Sequence, residues 1–261
     1  METSSNIFGY PVFDRTGKKI LTQTQGPYAD SLMNITVYRV EQGESLTFFS
    51  EDEERAILLV EGSVSYLWPN GSVAASRDSF LRDGPYCLHV AKGVKVRITA
   101  LRQSEVLVQS TGNERDFESK LSTPQNCAEE TFGQDQFEGK AQRTVRTFFD
   151  YHTAPYSNMV MGEILVPQGG WSSYPPHHHP QPEVYYYRFE KPQGFGACFI
   201  GDEVCKIKDG SFCLVPGGLT HPQVNAPGYP IYYVWMIRHF DGDPWTDRIF
   251  DPAHTWLLEE P

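Results

Sequence analysis

The stretch from Gly170 to Asn225 constrains this chain more than any other. It runs Trp171-Ser172-Ser173-Tyr174-Pro175-Pro176-His177-His178-His179-Pro180-Gln181-Pro182-Glu183, then Val184-Tyr185-Tyr186-Tyr187-Arg188-Phe189. Side chains alternate faces along an extended segment, so His177 and His179 share one face and His178 takes the other. Glu183 stands six residues beyond His177 and joins the same face if the strand stays regular. Two imidazoles and a carboxylate on one sheet face, with a distant His221, are the ligand set of a divalent-metal site with room for a substrate oxygen. His178, on the opposite face, keeps the plain reading of a solvated or singly bonded histidine.

Composition narrows the rest. The chain has 261 residues, enough for one large or two moderate domains. Its 19 prolines, 22 glycines and 13% aromatic residues suggest short strands joined by many turns, an all-β pattern. The net charge of −11, with no basic cluster to offset it, argues against nucleic-acid binding. No apolar run approaches the roughly 20 residues of a membrane-spanning helix. Met1 to Tyr10 lacks the layout of a signal peptide. The five cysteines (87, 127, 198, 205, 213) are odd in number and show no CxxC spacing, as expected of reduced thiols in a cytoplasmic protein. No glycine-rich nucleotide fingerprint follows any strand, so no nicotinamide or flavin cofactor is expected.

Taken in order, residues 1–33 form a mixed N-terminal extension that wraps a sheet edge or reaches a neighbouring subunit. Residues 34–112 then read as a first set of strands: Ile35–Val40, Ser45–Phe49, Arg55–Val60, Gly62–Trp68, Tyr86–Val90, Val94–Ala100 and Glu105–Ser110. Residues 113–142 are polar and weakly periodic, a connection with at most one short element. Residues 143–240 carry a second set, including Thr144–Phe149, Asn158–Val166 and Ile231–Ile237. A tail, 241–261, holds a short helix capped by Asp251 or Thr246, and its His254 reads as structural. The two strand sets repeat: Ile57-Leu58-Leu59-Val60 matches Val184-Tyr185-Tyr186-Tyr187, Tyr86-Cys87-Leu88 matches Phe212-Cys213-Leu214, and Gly93 matches Gly218. On those offsets Ser50, Asp52, Ala56 and Val96 stand where the second half has His177, His179, Glu183 and His221. Only Asp52 keeps a ligand chemistry, so one metal per chain is expected.

His-x-His-x3-Glu, followed by Gly-x5-Pro-x-Gly-x2-His-x3-Asn, resembles the two signature motifs of the cupin superfamily. The second fits at Gly210, Pro216, Gly218, His221 and Asn225, while the first departs only at its turn glycines. More narrowly, Gly169 to His177, Glu183 to Phe189, Gln193-Gly194-Phe195-Gly196 and Ala226-Pro227-Gly228-Tyr229 resemble the 5-deoxy-glucuronate isomerases of bacterial myo-inositol catabolism. One departure is the short link Pro180-Gln181-Pro182 between the histidines and Glu183. The resemblance implies a bicupin, two antiparallel jelly-roll β-barrels with one metal-free. It also implies an aldose–ketose isomerisation of 5-deoxy-glucuronate in the cytoplasm. Its metal positions map to His177, His179, Glu183 and His221, holding one divalent ion (Zn, Mn or Fe). Other readings stay open: an isomerase of another uronate of the 4-deoxy-5-ketouronate type, a cupin dioxygenase, a sugar-acid binding protein, and a monomer or a homodimer.

The reaction moves a carbonyl between C1 and C2, so a proton next to a carbonyl must leave and an enediolate must be stabilised. Candidates for the proton carrier are Glu183 and a tyrosine, Tyr174, Tyr185 or Tyr186. By parity Tyr185 and Tyr187 share the face of Glu183, and Tyr186 packs outward. The carboxylate of a sugar acid calls for a guanidinium. Arg188 is one candidate, although parity puts it opposite Glu183, and Arg143 or Arg146 is the alternative.

Overall fold

Strands that face packed neighbours on both sides leave no polar alternation in the sequence, and here that happens twice. In Glu53–Trp68, the side chains of Ile57 and Leu59 turn into the interior of the first half, while Leu58 and Val60 turn towards the second half. Phe212–Val215 is buried throughout for the same reason: Cys213 and Val215 face the second interior, Phe212 and Leu214 the first half. The computed structural model describes residues 7–259, so the start of the N-terminal extension and the last two residues of the tail lie outside the described residues.

Each half is a jelly-roll of antiparallel strands, and the two pack face to face. The first is built on one sheet in the order Lys18–Thr22, Asn34–Val40, Val96–Gly112, Glu53–Trp68, Tyr86–Val90, Lys120–Ser122. The strands read as Arg55–Val60 and Gly62–Trp68 are one 16-residue strand, bent where the register shifts around Gly62. Gly62 has φ +119, and a side chain there would strike Ser104, so only glycine lets the strand turn from one wall to the other. The second half has a sheet in the order Phe8–Gly9, Phe212–Val215, Glu183–Arg188, Ile231–Arg238, Met159–Val166, Arg143–Phe149, Ala128–Phe132. A smaller sheet of Trp171–Ser172, Gln223–Asn225, Phe195–Ile200 and Glu203–Lys208 faces it.

The N-terminal segment crosses both halves: Phe8–Gly9 pairs with Phe212–Val215, and Lys18–Thr22 with Asn34–Val40. The connection is more structured than its polarity suggests. Lys120–Ser122 extends the first sheet, and Ala128–Phe132 forms the edge of the second. Between the halves lies an apolar core that includes Leu58, Val60, Met161, Tyr186, Phe212 and Met236. Through it runs a buried ion pair. Arg77 donates to both oxygens of Glu163 (2.9 and 2.8 Å), and Arg146 and Tyr232 complete that carboxylate's bonds at 2.9 and 2.8 Å. No helix among the described residues is long and apolar enough to cross a membrane.

Candidate metal centre

The histidine run does not continue directly into the strand of Glu183. His177–His178 is a two-residue strand paired with Ile249–Phe250 of the tail, and Pro180-Gln181-Pro182 then turns the chain into Glu183–Arg188. This turn is held from below by the glycine pair of the second motif. The Gly218 N–H, at φ +86, donates to the His179 carbonyl at 2.8 Å, and any side chain at Gly217 would collide with the Pro180 carbonyl oxygen. The spacing of the two motifs is therefore one interlocked backbone arrangement, which brings His221 under His179 and Glu183.

His179, Glu183 and His221 place one ligand atom each within 4.8 Å of one another, all three buried. His177 is buried beside them, its ring edge-on to that of His221 with centroids 5.1 Å apart, but its ligand atoms stand outside that cluster. Each of these imidazoles presents Nδ1 to a backbone carbonyl: His177 to Pro175 at 2.8 Å, His179 to Gln181 at 2.9 Å, His221 to Leu219 at 2.9 Å. The short link therefore has a task, since its Gln181 carbonyl orients the His179 ring. Gln181 is itself tied by its amide to the Asp243 carbonyl at 2.8 Å.

A carbonyl at Nδ1 fixes the neutral tautomer with Nε2 bare. Burial holds His221 below its ordinary pKa and pushes His177 down to about 2, with the neighbouring histidines adding to the effect. The His221 Nε2 lone pair thus faces Glu183 Oε2 at 3.4 Å, and His179 Nε2 approaches the same oxygen at 3.2 Å. A lone pair set against a carboxylate is unfavourable unless a cation lies between them. The donor set of neutral imidazole and ionised carboxylate fits a divalent first-row metal. Oε2 also accepts from the Tyr185 hydroxyl at 2.8 Å, and among the described residues no hydrogen bond falls on Oε1. Burial, then the Glu183 charge, hold the Tyr185 hydroxyl well above its ordinary pKa, so it stays a donor.

The centre forms the floor of a cavity of about 420 Å³ walled by Trp235, Ile237, Trp245, Ile164 and Tyr185. Tyr185 and Tyr187 face this half's interior and Tyr186 faces the first half, in agreement with parity. His178 is half-buried and outside the His179/Glu183/His221 cluster.

Two expected site residues are placed elsewhere. Arg188 is on the face opposite Glu183, paired with Glu105 at 2.6 Å and Asp209 at 2.8 Å, because odd spacing along a strand reverses the face. Tyr174 packs against Trp171 and Phe137 and lines a neighbouring cavity instead. Arg143 and Arg146 also separate by face. Arg146 bonds Glu129 and Glu163, while Arg143 lines the cavity with Val145 and Thr147. Trp245 and Arg248 of the tail were not foreseen; nothing in the local sequence says that the tail folds back over the site. His254 is exposed.

A jelly-roll pair with a buried His/Glu cluster in one member defines a bicupin. The chain belongs to the KduI/IolB family, which it matches over residues 10–257. It is 27% identical to the 5-deoxy-glucuronate isomerase of Geobacillus thermodenitrificans over 85% of each chain. With that of Bacillus subtilis subsp. natto it shares 24% identity over 93% of this chain and 94% of the relative. Among solved structures, an IolB-like protein from Salmonella typhimurium LT2 superposes with a TM-score of 0.86 at 22% identity, covering 97% of this chain and 99% of that one. Oxalate decarboxylase from Bacillus subtilis, solved in a study of its Mn(II) centres, gives 0.65 at 13% identity over 100% and 83%. These likenesses show the fold.

Proposed function

We propose that the chain is a metal-dependent aldose–ketose isomerase of inositol catabolism, acting on 5-deoxy-glucuronate in the cytoplasm. The observation that carries the reading is the set of bare Nε2 atoms converging on one buried carboxylate at the floor of a sugar-sized cavity. It stands in a chain similar along most of its length to proteins named 5-deoxy-glucuronate isomerase. His177, His179, Glu183 and His221 would hold one divalent ion. When bound, such an ion supplies Lewis-acid polarisation of a carbonyl and its neighbouring hydroxyl.

The chain's own groups do the rest. Among the described residues Glu183 has its polar contacts on Oε2 only, so Oε1 is the base that takes the proton from the carbon beside the carbonyl and returns it to the adjacent carbon. Tyr185 donates to Oε2 and fixes the carboxylate plane; Ser173, 3.3 Å from the Tyr185 oxygen, steadies it in turn. Trp235 and Trp245 exclude water from the enediolate.

The test is turnover of 5-deoxy-glucuronate by the metal-loaded protein with and without chelator, and in deuterated water. Expected are loss of turnover with chelator and deuterium in the product. Tyr185→Phe should keep its metal and lose about 10- to 100-fold in kcat. Folded, metal-loaded protein that interconverts no aldose–ketose pair among the deoxy-uronates, or that needs oxygen to act, overturns the reading.

A further inference from the structure

One end of the metal cavity carries two guanidiniums that are only weakly paired among the described residues. Arg143 is buried, stacks on Phe132 with 5.4 Å from guanidinium to ring centroid, and makes one hydrogen bond, from Nη1 to the Ala141 carbonyl at 2.9 Å. A guanidinium has five N–H donors, so four are left without an acceptor among the described residues. Arg248, from the tail, lies at the same place; among the described residues its guanidinium has Asp247 at 4.0 Å and the Phe250 ring at 5.8 Å to the centroid. Both arginines line the metal cavity and also a second one of about 480 Å³, so they stand where the two join. The other strand-borne guanidiniums nearby are neutralised: Arg146 by Glu129 and Glu163, Arg188 by Glu105 and Asp209. Glu130, Asp150 and Asp247 also line the metal cavity and Asp135 the second one, yet among the described residues the one ion pair to either arginine is that of Asp247 with Arg248 at 4.0 Å. Burial lowers the pKa of Arg143; Tyr233 opposes that shift, and the smaller effect of the Arg248 charge adds to it. Two guanidiniums held towards one space are stable together once an anion sits between them.

We propose that Arg143 and Arg248 form a clamp for the carboxylate of the substrate, and that this clamp makes the site select a sugar acid over the corresponding neutral sugar. The proposal rests on the isomerase reading for the identity of the sugar, but the clamp itself is a binding property. The carbonyl end of the sugar lies over the histidines and Glu183, and the carboxylate end at the junction of the two cavities. Arg143, fixed on a strand, supplies the planar bidentate grip, while Arg248, half in solvent, closes from the tail.

The experiment is calorimetric binding of 5-deoxy-glucuronate and of 5-deoxyglucose to metal-loaded wild type, Arg143→Gln, Arg143→Lys and Arg248→Gln, with metal content and thermal midpoint measured on each. The wild type should hold the acid at least about 10-fold tighter than the neutral sugar. Arg143→Gln should weaken the acid about 10- to 100-fold and leave the neutral sugar within about twofold. Arg143→Lys should recover part of the loss, because it keeps the charge and not the fork. Arg248→Gln, at an exposed position that tolerates change, should cost the acid about 3- to 10-fold and carries the test if Arg143→Gln does not fold. Equal loss for both sugars, no loss for either, or a wild type without preference for the acid overturns the clamp. Absence of turnover in a wild type that still prefers the acid overturns the isomerase reading and leaves the clamp in place.

Discussion

The two halves of the molecule share strand order and differ in what one position carries. Glu183 pairs with Val215 on one side and Ile237 on the other, its side chain turned inward with Tyr185 and Tyr187. In the first half the inward residues of the matching strand are Ile57 and Leu59, and Arg55 precedes them on the same face, paired with Val90 and Ser110. The place of Glu183 is therefore taken by Arg55, not by Ala56, whose side chain faces the other half. Aligning the two strands by resemblance slips each by one residue, in opposite directions, so the pairing survives while every face is reversed. Val96, at the place of His221, is fully buried among Val90 and Ile98. Arg55 turns its Nη2 to the carbonyls of Ala91 and Val94, at 3.3 and 2.7 Å. A guanidinium there repels a divalent cation. The same fold thus carries a buried His/Glu cluster in one half and an inward guanidinium in the other.

The largest effect that would sharpen this contrast is at His221. His221→Ala should remove the metal and lower turnover by about 10³-fold or more, since the Lewis-acid contribution amounts to several kcal/mol. Val96→Ala, at the matching place, should leave metal content per folded chain unchanged. Elemental analysis of both proteins decides it: metal retained by His221→Ala, or lost from Val96→Ala, would break the contrast.

The pair that joins the halves comes next. Arg77 and Glu163 are fully buried. Removing one partner leaves an uncompensated charge, so Arg77→Met should lower stability by about 3–5 kcal/mol in urea unfolding. Metal content of the folded fraction should not move. A loss under about 1 kcal/mol would mean that Arg146 alone neutralises Glu163 and that the halves depend on their apolar core.

Much of the site was legible because its determinants are local. The clustered histidines, Glu183 and the glycines that lock their turn all lie within Gly170–Asn225, and the parity of Tyr185, Tyr186 and Tyr187 followed from strand geometry alone. The Asp251 cap was legible too: its carboxylate accepts from the Ala253 N–H at 2.9 Å at the head of the 3-10 segment Pro252–Leu258. Legibility ended where a tertiary neighbour sets the role. The edge strand Ala128–Phe132 is exposed over most of its length, so it carries no apolar period to reveal it. Arg143 and Arg146 are alike in sequence, and only the two different walls they face tell them apart. Trp245 and Arg248 reach the cavity because Ile249–Phe250 pairs with His177–His178, a contact across more than half the second half of the chain.

A smaller effect concerns acid. His239 is buried, and its Nδ1 accepts from the Trp245 N–H at 3.0 Å, a bond that protonation of that nitrogen would break. Burial, and then the Arg238 charge, hold its pKa down to about 4. The unfolded chain, with histidine near its ordinary value of about 6.5, takes up the proton first. Stability is therefore full above that value and declines as pH falls from about 6.5 towards 4. Urea midpoints of metal-free protein across that range should show the decline, and His239→Asn should flatten it. A slope identical in the variant would assign the decline to other groups.

The smallest effect is expected at Asp52, the one of the four first-half residues aligned with the cluster positions that keeps a ligand chemistry. Its side chain is exposed and makes no hydrogen bond among the described residues; only its backbone is engaged, the carbonyl accepting from the Asn113 N–H at 2.9 Å and the N–H donating to Ser50 Oγ at 3.3 Å. An exposed carboxylate beside a barrel whose Glu183 place holds Arg55 has no second ligand with which to hold a metal. Asp52→Ala should change stability by less than about 0.5 kcal/mol. Metal content should stay at one per chain and turnover within about twofold, against the near-complete loss at His221. Loss of metal from folded Asp52→Ala, or a metal stoichiometry of two in the wild type, would place a working site in the first half and end the distinction between the two barrels.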